Sequence, residues 1–369
     1  MLRFIRRTGG LVQNDDENME YIATFAIIKI FILTTLAFVA AFLLTPILTH
    51  FLYKYNIGKP IRDKLDAPIF AKLHQKKAGT PTMGGILIWV TVLAIALTFY
   101  YIKKFFPSLS LSEFNFLTRE QTLLPLGALV ASSLVGMVDD LLNIRGQGIF
   151  KGGLKVSHRL LVYTIIAVVG ALWFFFKLDW DLLHVPFVGN FEVGWWYIPI
   201  FIFIIVATGF SVNNTDGLDG LAGGLLAAAF VAFGSMAFVS GRFELATFCG
   251  VIVGALLAFL WFNINPARFF MGDTGSMGLG VTLGIVAMLT NTALFLPIVC
   301  FLFALESGSV IIQTLSKKIR HKKIFLSTPI HHHFEAIGWS EPKVVMRFWV
   351  ISAVAAVVGV VLFLIDSAL

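Results

Sequence analysis

Charge is what this sequence has least of. Of its 369 residues only 13% are Asp, Glu, Lys or Arg, about half the share of an ordinary soluble domain. That shortage excludes a disordered chain, a basic nucleic-acid-binding tail protein and an ordinary cytosolic enzyme. Cysteine is scarce as well. Cys249 and Cys300 each fall inside an apolar run, so a disulfide framework and a zinc site are both disfavoured; they read as small buried hydrophobes. No G-x-x-x-x-G-K-[ST] loop occurs, which argues against ATP hydrolysis. No repeat of 20–50 residues and no low-complexity linker divides the chain. Tyr and Trp are few, at 7 and 8, against 37 Phe, the aromatic that hydrocarbon accepts without a polar atom to satisfy.

What is present is apolar length. Hydrophobic residues make up 58% of the chain and mean hydropathy is +0.86, more than a single membrane anchor could produce. Windows of ~20 apolar residues predict an all-α, polytopic membrane protein with ten transmembrane helices. They lie near 22–46, 84–102, 122–138, 160–176, 195–212, 221–239, 246–262, 276–291, 294–315 and 348–365. The first run is too long for a signal-peptide core and lacks a small-residue cleavage site, so it reads as a retained helix. Residues 1–20 form a tail and 21–369 a single membrane domain. The stretch 177–194, with Trp180 and the following Trp195 and Trp196, reads as an interfacial segment with an aromatic belt.

Orientation follows from Lys and Arg in the loops. With both termini outside, the inner loops 53–80, 139–159, 213–220, 263–275 and 316–347 carry 19 basic residues and the outer segments 8. Arg3, Arg6 and Arg7 count against this; Met19 is an alternative start that would remove them. The formal charge of +7 is therefore mainly an orientation signal, and nucleic acid is not an expected partner.

Five polar clusters fall on the same predicted inner face. Lys76 and Lys77 precede Gly79-Thr80-Pro81-Thr82-Met83-Gly84-Gly85. There Thr-Pro-Thr reads either as a capped, tightly packed helix start or as a phosphate-facing helix N-terminus with basic residues beside it. Asp139 and Asp140 end an apolar helix, where the dipole disfavours anions, so a compensating cation or a function is expected. Paired carboxylates suit Mg²⁺. Asn213 to Gly224 carries Asp216 and Asp219, which would share a face if helical; an Asx-type turn is the alternative. Asn263 to Ser276 places Asp273 between two glycines at a helix start, near Phe269 and Phe270. An N-cap is the plain reading; a metal ligand, an aromatic for base stacking and an asparagine reading an amide edge is the functional one. His331, His332 and His333 cannot all ligate one metal in a regular element and suit phosphate better; the basic run before them reads as topology. Glu306 lies inside a predicted span, a functional candidate by default or a polar contact to Ser307, Ser309 or Gln313.

Three acidic clusters, basic residues and a histidine triplet on one membrane face point to Mg²⁺-dependent chemistry on a phosphorylated substrate, with one partner from the cytosol and one from the lipid. In this order the clusters resemble the phospho-N-acetylmuramoyl-pentapeptide transferase family of the polyprenyl-phosphate N-acetylhexosamine-1-phosphate transferase superfamily. The likeness runs from about residue 45 to the end. Pro81-Thr82-Met83-Gly84-Gly85, the unbroken His triplet and Glu341 to Trp349 favour that family over its relatives. The resemblance implies ten helices with both termini outside, and transfer of phospho-MurNAc-pentapeptide from UDP-MurNAc-pentapeptide to undecaprenyl phosphate, giving lipid I and UMP. It implies Asp273 as the Mg²⁺ ligand, and Asp139 and Asp140 beside the lipid phosphate, Asp139 being the candidate base. Asp216, Gly217, Leu218, Asp219, Asn263 and Phe270 would line the nucleoside pocket, with Phe270 on uracil. Lys77, Thr82, Asn213, Glu306 and His331 to His333 join the binding set, and a homodimer is implied. Three positions depart from the family pattern: Asn143 and Arg159 stand where lysines are expected, and Asn214 where an apolar residue is. The rivals are a GlcNAc-1-phosphate transferase to the same lipid and, from another class, a transporter, whose hallmark of broken helices at mid-membrane differs from acidic clusters at helix ends.

Overall fold

The computed structural model describes residues 11–55, 57, 58, 77, 79–145 and 154–369, with side chains described from residue 20 onward. The helices are α1 (Leu11–Lys54), α2 (Ile86–Phe105), α3 (Leu123–Arg145), α4 (Val156–Lys177), α5 (Tyr197–Thr215), α6 (Leu221–Val239), α7 (Phe243–Asn263), α8 (Asp273–Leu289), α9 (Leu296–Val299), α10 (Phe301–Arg320), α11 (Ile330–Ala336) and α12 (Glu341–Ala368). Long apolar runs favour helix here even across Pro46 inside α1 and the interior glycines of α6 to α8, because hydrocarbon would admit little else: every backbone group must be satisfied within its own segment.

Among the described residues, eight helices are long and apolar enough to cross a membrane: α1 from Glu20, α2 to α4, α5 with the turn before it, α6, α7 and α12. The two other predicted windows differ. The 294–315 window is two helices, α9 and α10, bent by 83° where they meet, and counts as a ninth span only if the pair crosses together. The 276–291 window is α8, only 17 residues long. All of α8 is buried, sheathed by α3 and α5 with α2 and α6 alongside. The expected all-α architecture also gains a small sheet. Within 177–194, β1 (Leu182–Val185) pairs antiparallel with β2 (Gly189–Glu192). Trp195 and Trp196 beyond it are exposed, as an aromatic belt requires.

Small residues let the helices approach. A Cβ on Gly278 of α8 would lie 2.0 Å from the Ser133 Oγ of α3, and one on Gly254 of α7 would lie 2.1 Å from the Thr34 carbonyl oxygen of α1. Close backbone approach through small side chains is how helices associate where lipid removes the hydrophobic drive between them.

The chain's polar ends sort to two opposite ends of the bundle. At one, the C-terminal ends of α3, α5 and α7 meet the N-terminal ends of α4, α6, α8 and α12, joined by the contacts described below. At the other, Asp366 in the last turn of α12 accepts the Phe187 N–H at 2.6 Å and pairs with His184 Nε2 at 2.5 Å, tying the hairpin to the bundle. Asn291, just past α8, accepts the His184 N–H.

Gly254→Val should lower the melting temperature in detergent, because the obstacle is backbone; overpacking costs about 1–3 kcal/mol or more. Gly308→Ala on α10, where a Cβ meets nothing within 4 Å, should leave it unchanged or slightly raised. Equal melting of both variants would show that the α1–α7 approach is not tight.

Candidate functional site

The site is built on the N-terminus of α8. Gly272, at φ +74°, turns the chain into the helix, and Asp273 is its first residue. The Asp273 carboxylate accepts hydrogen bonds from Arg159 Nη2 at 2.8 Å and from Asn213 Nδ2 at 2.7 Å. Arg159 also pairs with Asp139 Oδ2 at 2.7 Å and donates to Asn213 Oδ1 at 3.0 Å. Asn213 reaches the Ser276 hydroxyl at 2.9 Å. One guanidinium thus joins α3, α5 and α8. Arg159 is the compensating cation that the dipole argument demanded, and its forked donors suit two carboxylates better than a lysine would.

Asp139 and Asp140 are fully buried. They do not end α3 at residue 138 as the apolar window suggested; the helix runs on to Arg145. Asp139 also accepts the Leu154 N–H at 2.5 Å. Asp140 accepts the Thr274 N–H at 3.0 Å, an exposed amide of the α8 first turn put to use. Close to them, Gly136 lets α3 touch the Asp273 backbone: a Cβ there would lie 2.2 Å from its carbonyl oxygen. A Cβ on residue 272 would fall 2.5 Å from Asp140 Oδ2 and 2.7 Å from Thr82 Oγ1. Thr82 is buried and its hydroxyl has no hydrogen-bond partner. Asp216 accepts the Gly272 N–H at 3.2 Å. Thr82, Asp140 and Asp216 therefore converge on one glycine.

A second group adjoins the first. Lys77 Nζ lies 2.6 Å from Asp219 Oδ1 and 2.5 Å from Glu341 Oε1, and 5.7 Å from the centre of the half-buried Phe270 ring. Asp219 accepts from Asn265 Nδ2 and the Ala267 N–H. Asn263 uses both ends of its amide on backbone, accepting from Gly220 N–H at 2.9 Å and donating to the Phe269 carbonyl at 2.8 Å. It braces two loops and offers no open amide edge. Leu218 is buried beneath them.

A third group lies deeper. His331 Nδ1 is 2.9 Å from Glu306 Oε2, both side chains wholly buried. Glu306 thus finds histidine, not the serines of its own helix; Ser309 donates instead to its backbone carbonyl. His331 Nε2 has no hydrogen-bond partner and lies 2.4 Å from where a Cβ on Gly217 would be. His332 pairs with Glu335 at 2.7 Å. His333 leaves the group: it accepts the Leu326 N–H and its ring packs on Phe325.

Other expectations are corrected by geometry. Thr80-Pro81-Thr82 does not cap α2, whose N-cap is Gly85. The segment runs extended, with Pro81 accepting the Phe270 N–H while Gly84 and Gly85 donate to Phe270 and Met271. Those two amides are spent on carbonyls of the α7–α8 loop, so they are not open to an anion. Asp216 and Asp219 do not share a helical face, because α5 ends at Thr215 and the two carboxylates take different neighbours. Asn143 is buried in the last turn of α3. Lys76 lies outside the described residues. Arg159 and Glu341 were not read as site residues; the signal for Glu341 was an acid at the start of a helix that otherwise carries no acid until Asp366.

Among the described residues, no three histidine, cysteine or acidic side chains are arranged to hold a metal ion on their own. The donors near Gly272 are nonetheless all oxygen: three carboxylates and the unengaged Thr82 hydroxyl. That chemistry fits Mg²⁺, which keeps waters and binds through one or two carboxylates plus substrate phosphate.

The chain matches the family model described as glycosyl transferase family 4 over residues 122–291. It matches phospho-N-acetylmuramoyl-pentapeptide-transferase signature 1 over 77–88, the segment from Lys77 through the glycines against Phe270. It is 38% identical over 343 residues to a phospho-N-acetylmuramoyl-pentapeptide-transferase of Chloroflexus aggregans, 88% of each chain. It is 39% identical to that of Bacillus anthracis, over 88% of this chain and 94% of the relative. For Geobacillus thermodenitrificans the figures are 37%, 90% and 97%.

Arg159→Met should leave Asp139 and Asp273 without their shared cation, and breaking such a pair costs about 3–5 kcal/mol. Thermal melting in detergent should show a large fall for it and a smaller one for Arg159→Lys. A methionine variant as stable as wild type would remove the bridge from its structural role.

Proposed function

The chain belongs to the phospho-N-acetylmuramoyl-pentapeptide transferase family, and from that premise we propose how its polar end performs the reaction. The protein is a multi-pass membrane phosphoglycosyl transferase of peptidoglycan synthesis. It moves phospho-MurNAc-pentapeptide from UDP-MurNAc-pentapeptide to undecaprenyl phosphate, giving lipid I and UMP. The observation that carries the reading is the convergence of Asp139, Asp140, Asp216 and Asp273 around the α8 N-terminus, with Phe270 and Lys77 beside them.

Phe270 stacks on uracil, and the 216–220 loop with Leu218, Asp219 and Asn263 shapes the pocket. Asn213, Thr82, Gly217 and the histidines 331 and 332 face the diphosphate and sugar, with Glu306 orienting His331. His333 supports the 325–334 turn. Asp139 takes the proton from undecaprenyl phosphate, and the phosphate oxygen attacks the β-phosphorus. A new P–O bond forms as the bond to UMP breaks, so UMP carries off the electron pair. Asp273, with Asp140 near it, would hold Mg²⁺. When bound, the ion neutralises the diphosphate and the leaving phosphate. Asp139 and Asp140, fixed by Arg159 and the 154 and 274 amides, keep the acceptor phosphate in line.

The 19 inner basic residues support a cytoplasmic face for this end, both termini extracytoplasmic, ten spans with α8 among them, and a location in the bacterial cytoplasmic membrane. A single domain over 21–369 and a homodimer complete the reading.

UMP release by detergent-purified protein, with UDP-MurNAc-pentapeptide preferred over UDP-GlcNAc, is expected; no UMP would favour a transporter. Asp273→Asn should cut Mg²⁺-dependent release by roughly 100-fold or more, and normal turnover would take Asp273 out of the site. Phe270→Ala should weaken UMP binding by the ~1–3 kcal/mol a stacked base is worth, measured by calorimetry. Radiolabelled sugar phosphate trapped on the protein without acceptor would overturn direct attack in favour of a covalent aspartyl intermediate.

A further inference from the structure

We propose that Glu341 is the positioning residue of the nucleoside pocket, a role that rests on the reading of Phe270 and Lys77 given above. Its carboxylate is the point where three chain segments meet that are remote in sequence. Oε1 accepts from Lys77 Nζ at 2.5 Å and from the Asp219 N–H at 2.8 Å; Oε2 accepts from Asn265 Nδ2 at 3.3 Å. The first belongs to the segment leading to α2, the second to the α5–α6 turn, the third to the α7–α8 loop that carries Phe270. Each is one wall of the pocket. Among the described residues, Glu341 is the side chain from outside these three segments that bonds all of them.

The carboxylate is suited to the task by where it sits. Glu341 is the first residue of α12, where the helix dipole favours an anion. Its side chain is 12% exposed, so its bonds are shielded from water. Asp219 supplies a second bond to Lys77 and to Asn265, but it lies within one of the walls. Glu341 comes from outside them and fixes their mutual position. Farther along α12, Trp349 donates to the Gly220 carbonyl at 3.1 Å, so the same helix holds the α5–α6 turn at two points, one of them through the carboxylate that accepts the Asp219 N–H.

Lys77 is the group most affected. Its ammonium has two carboxylate partners, which hold it beside the Phe270 ring. A lysine so engaged is a rigid part of the pocket wall, not a mobile arm. Removing the Glu341 charge loosens it without touching Asp139, Asp140 or Asp273. The expected signature is therefore confined to the nucleotide: weaker UMP binding and a higher donor KM, with kcat and the acceptor KM preserved.

The test is Glu341→Gln in the full chain, with UMP as the probe. Loss of one charge-assisted bond set should weaken UMP binding roughly tenfold or more and raise donor KM by a like factor, with kcat within about twofold. Glu341→Asp should recover part of the affinity. Lys77→Met added to Glu341→Gln should cost less than Lys77→Met alone in the wild type. Unchanged UMP affinity in Glu341→Gln, or parallel loss of kcat, both KM values and melting temperature, would overturn the proposal. Phe270→Ala separates the two levels of the argument. If it weakens UMP binding and Glu341→Gln does not, positioning fails alone; if neither does, the pocket itself is elsewhere.

Discussion

Two carboxylates that arrive from different helices, Asp139 from α3 and Asp273 from α8, share one guanidinium, and the bundle is packed so that they can. Arg159 stands in the first turn of α4 and reaches Asp139 at 2.7 Å and Asp273 at 2.8 Å. For its fork to reach both, α3 must lie against the α8 N-terminus, and Gly136 removes the Cβ that would strike the Asp273 carbonyl. The α8 helix must in turn be buried along its whole length, which leaves its first-turn amides no solvent. Asp140 supplies the acceptor for one of them. Each polar group at this end answers a need created by the burial of another.

That arrangement divides the proposed site into two halves with different supports. The carboxylate half hangs on α3, α4, α5 and α8 through Arg159 and Asn213. The nucleoside half hangs on α6, α7 and α12 through Lys77, Asp219, Asn263 and Glu341. Neither half has a large share of side chains in common with the other. What joins them is backbone, the 263–273 loop, with Phe270 facing one half and Asp273 the other. Asp216 bonds the Gly272 N–H while its neighbour in the same turn, Asp219, bonds Ala267. A turn of five residues thus pins both ends of that loop, which is the physical reason two aspartates stand three apart there without a helix to align them.

Much of this was legible from residue order. Apolar windows located every long helix, and loop polarity marked the end of the bundle where the shared carboxylate contacts gather. The misses share one cause: a pattern reads neighbours along the chain, whereas partners here come from 15 to 264 positions away. Asp139 looked like the end of a helix because apolarity stops there, yet the helix continues because Arg159 neutralises the charge. Asp216 and Asp219 looked like one helical face because spacing is all a sequence offers. Glu306 was open between a functional role and a contact to Ser307, Ser309 or Gln313, and its partner proved to be His331 across a loop. The 17-residue α8 looked like an ordinary span, though its glycines mark a helix enclosed on every side. Arg159 was visible as a base standing where a lysine is expected and Glu341 as the first residue of a family-like stretch, but nothing in the order of residues showed which side chains they would bond.

The opposite end of the bundle sharpens the contrast. There Asp366 holds His184 and the Phe187 amide, and Arg242 lies 5.0 Å from the Trp180 ring. His184 also reaches Asn190 and Asn291, so these ties form a small local network that fastens the hairpin to helix ends. At the α8 end the same kinds of residue are shared: Arg159 serves two carboxylates and Asn213, Glu341 serves three segments, and Gly272 receives three side chains. A shared partner cannot move without disturbing all that depend on it, so geometry there is fixed more firmly than stability alone requires. Buried charge is a poor way to gain stability, since well-packed apolar residues do as well or better. Buried charge is not confined to the α8 end, since Lys29 and the Asp366 side chain are buried as well; what sets the α8 end apart is the number of carboxylates that share a partner with a second helix.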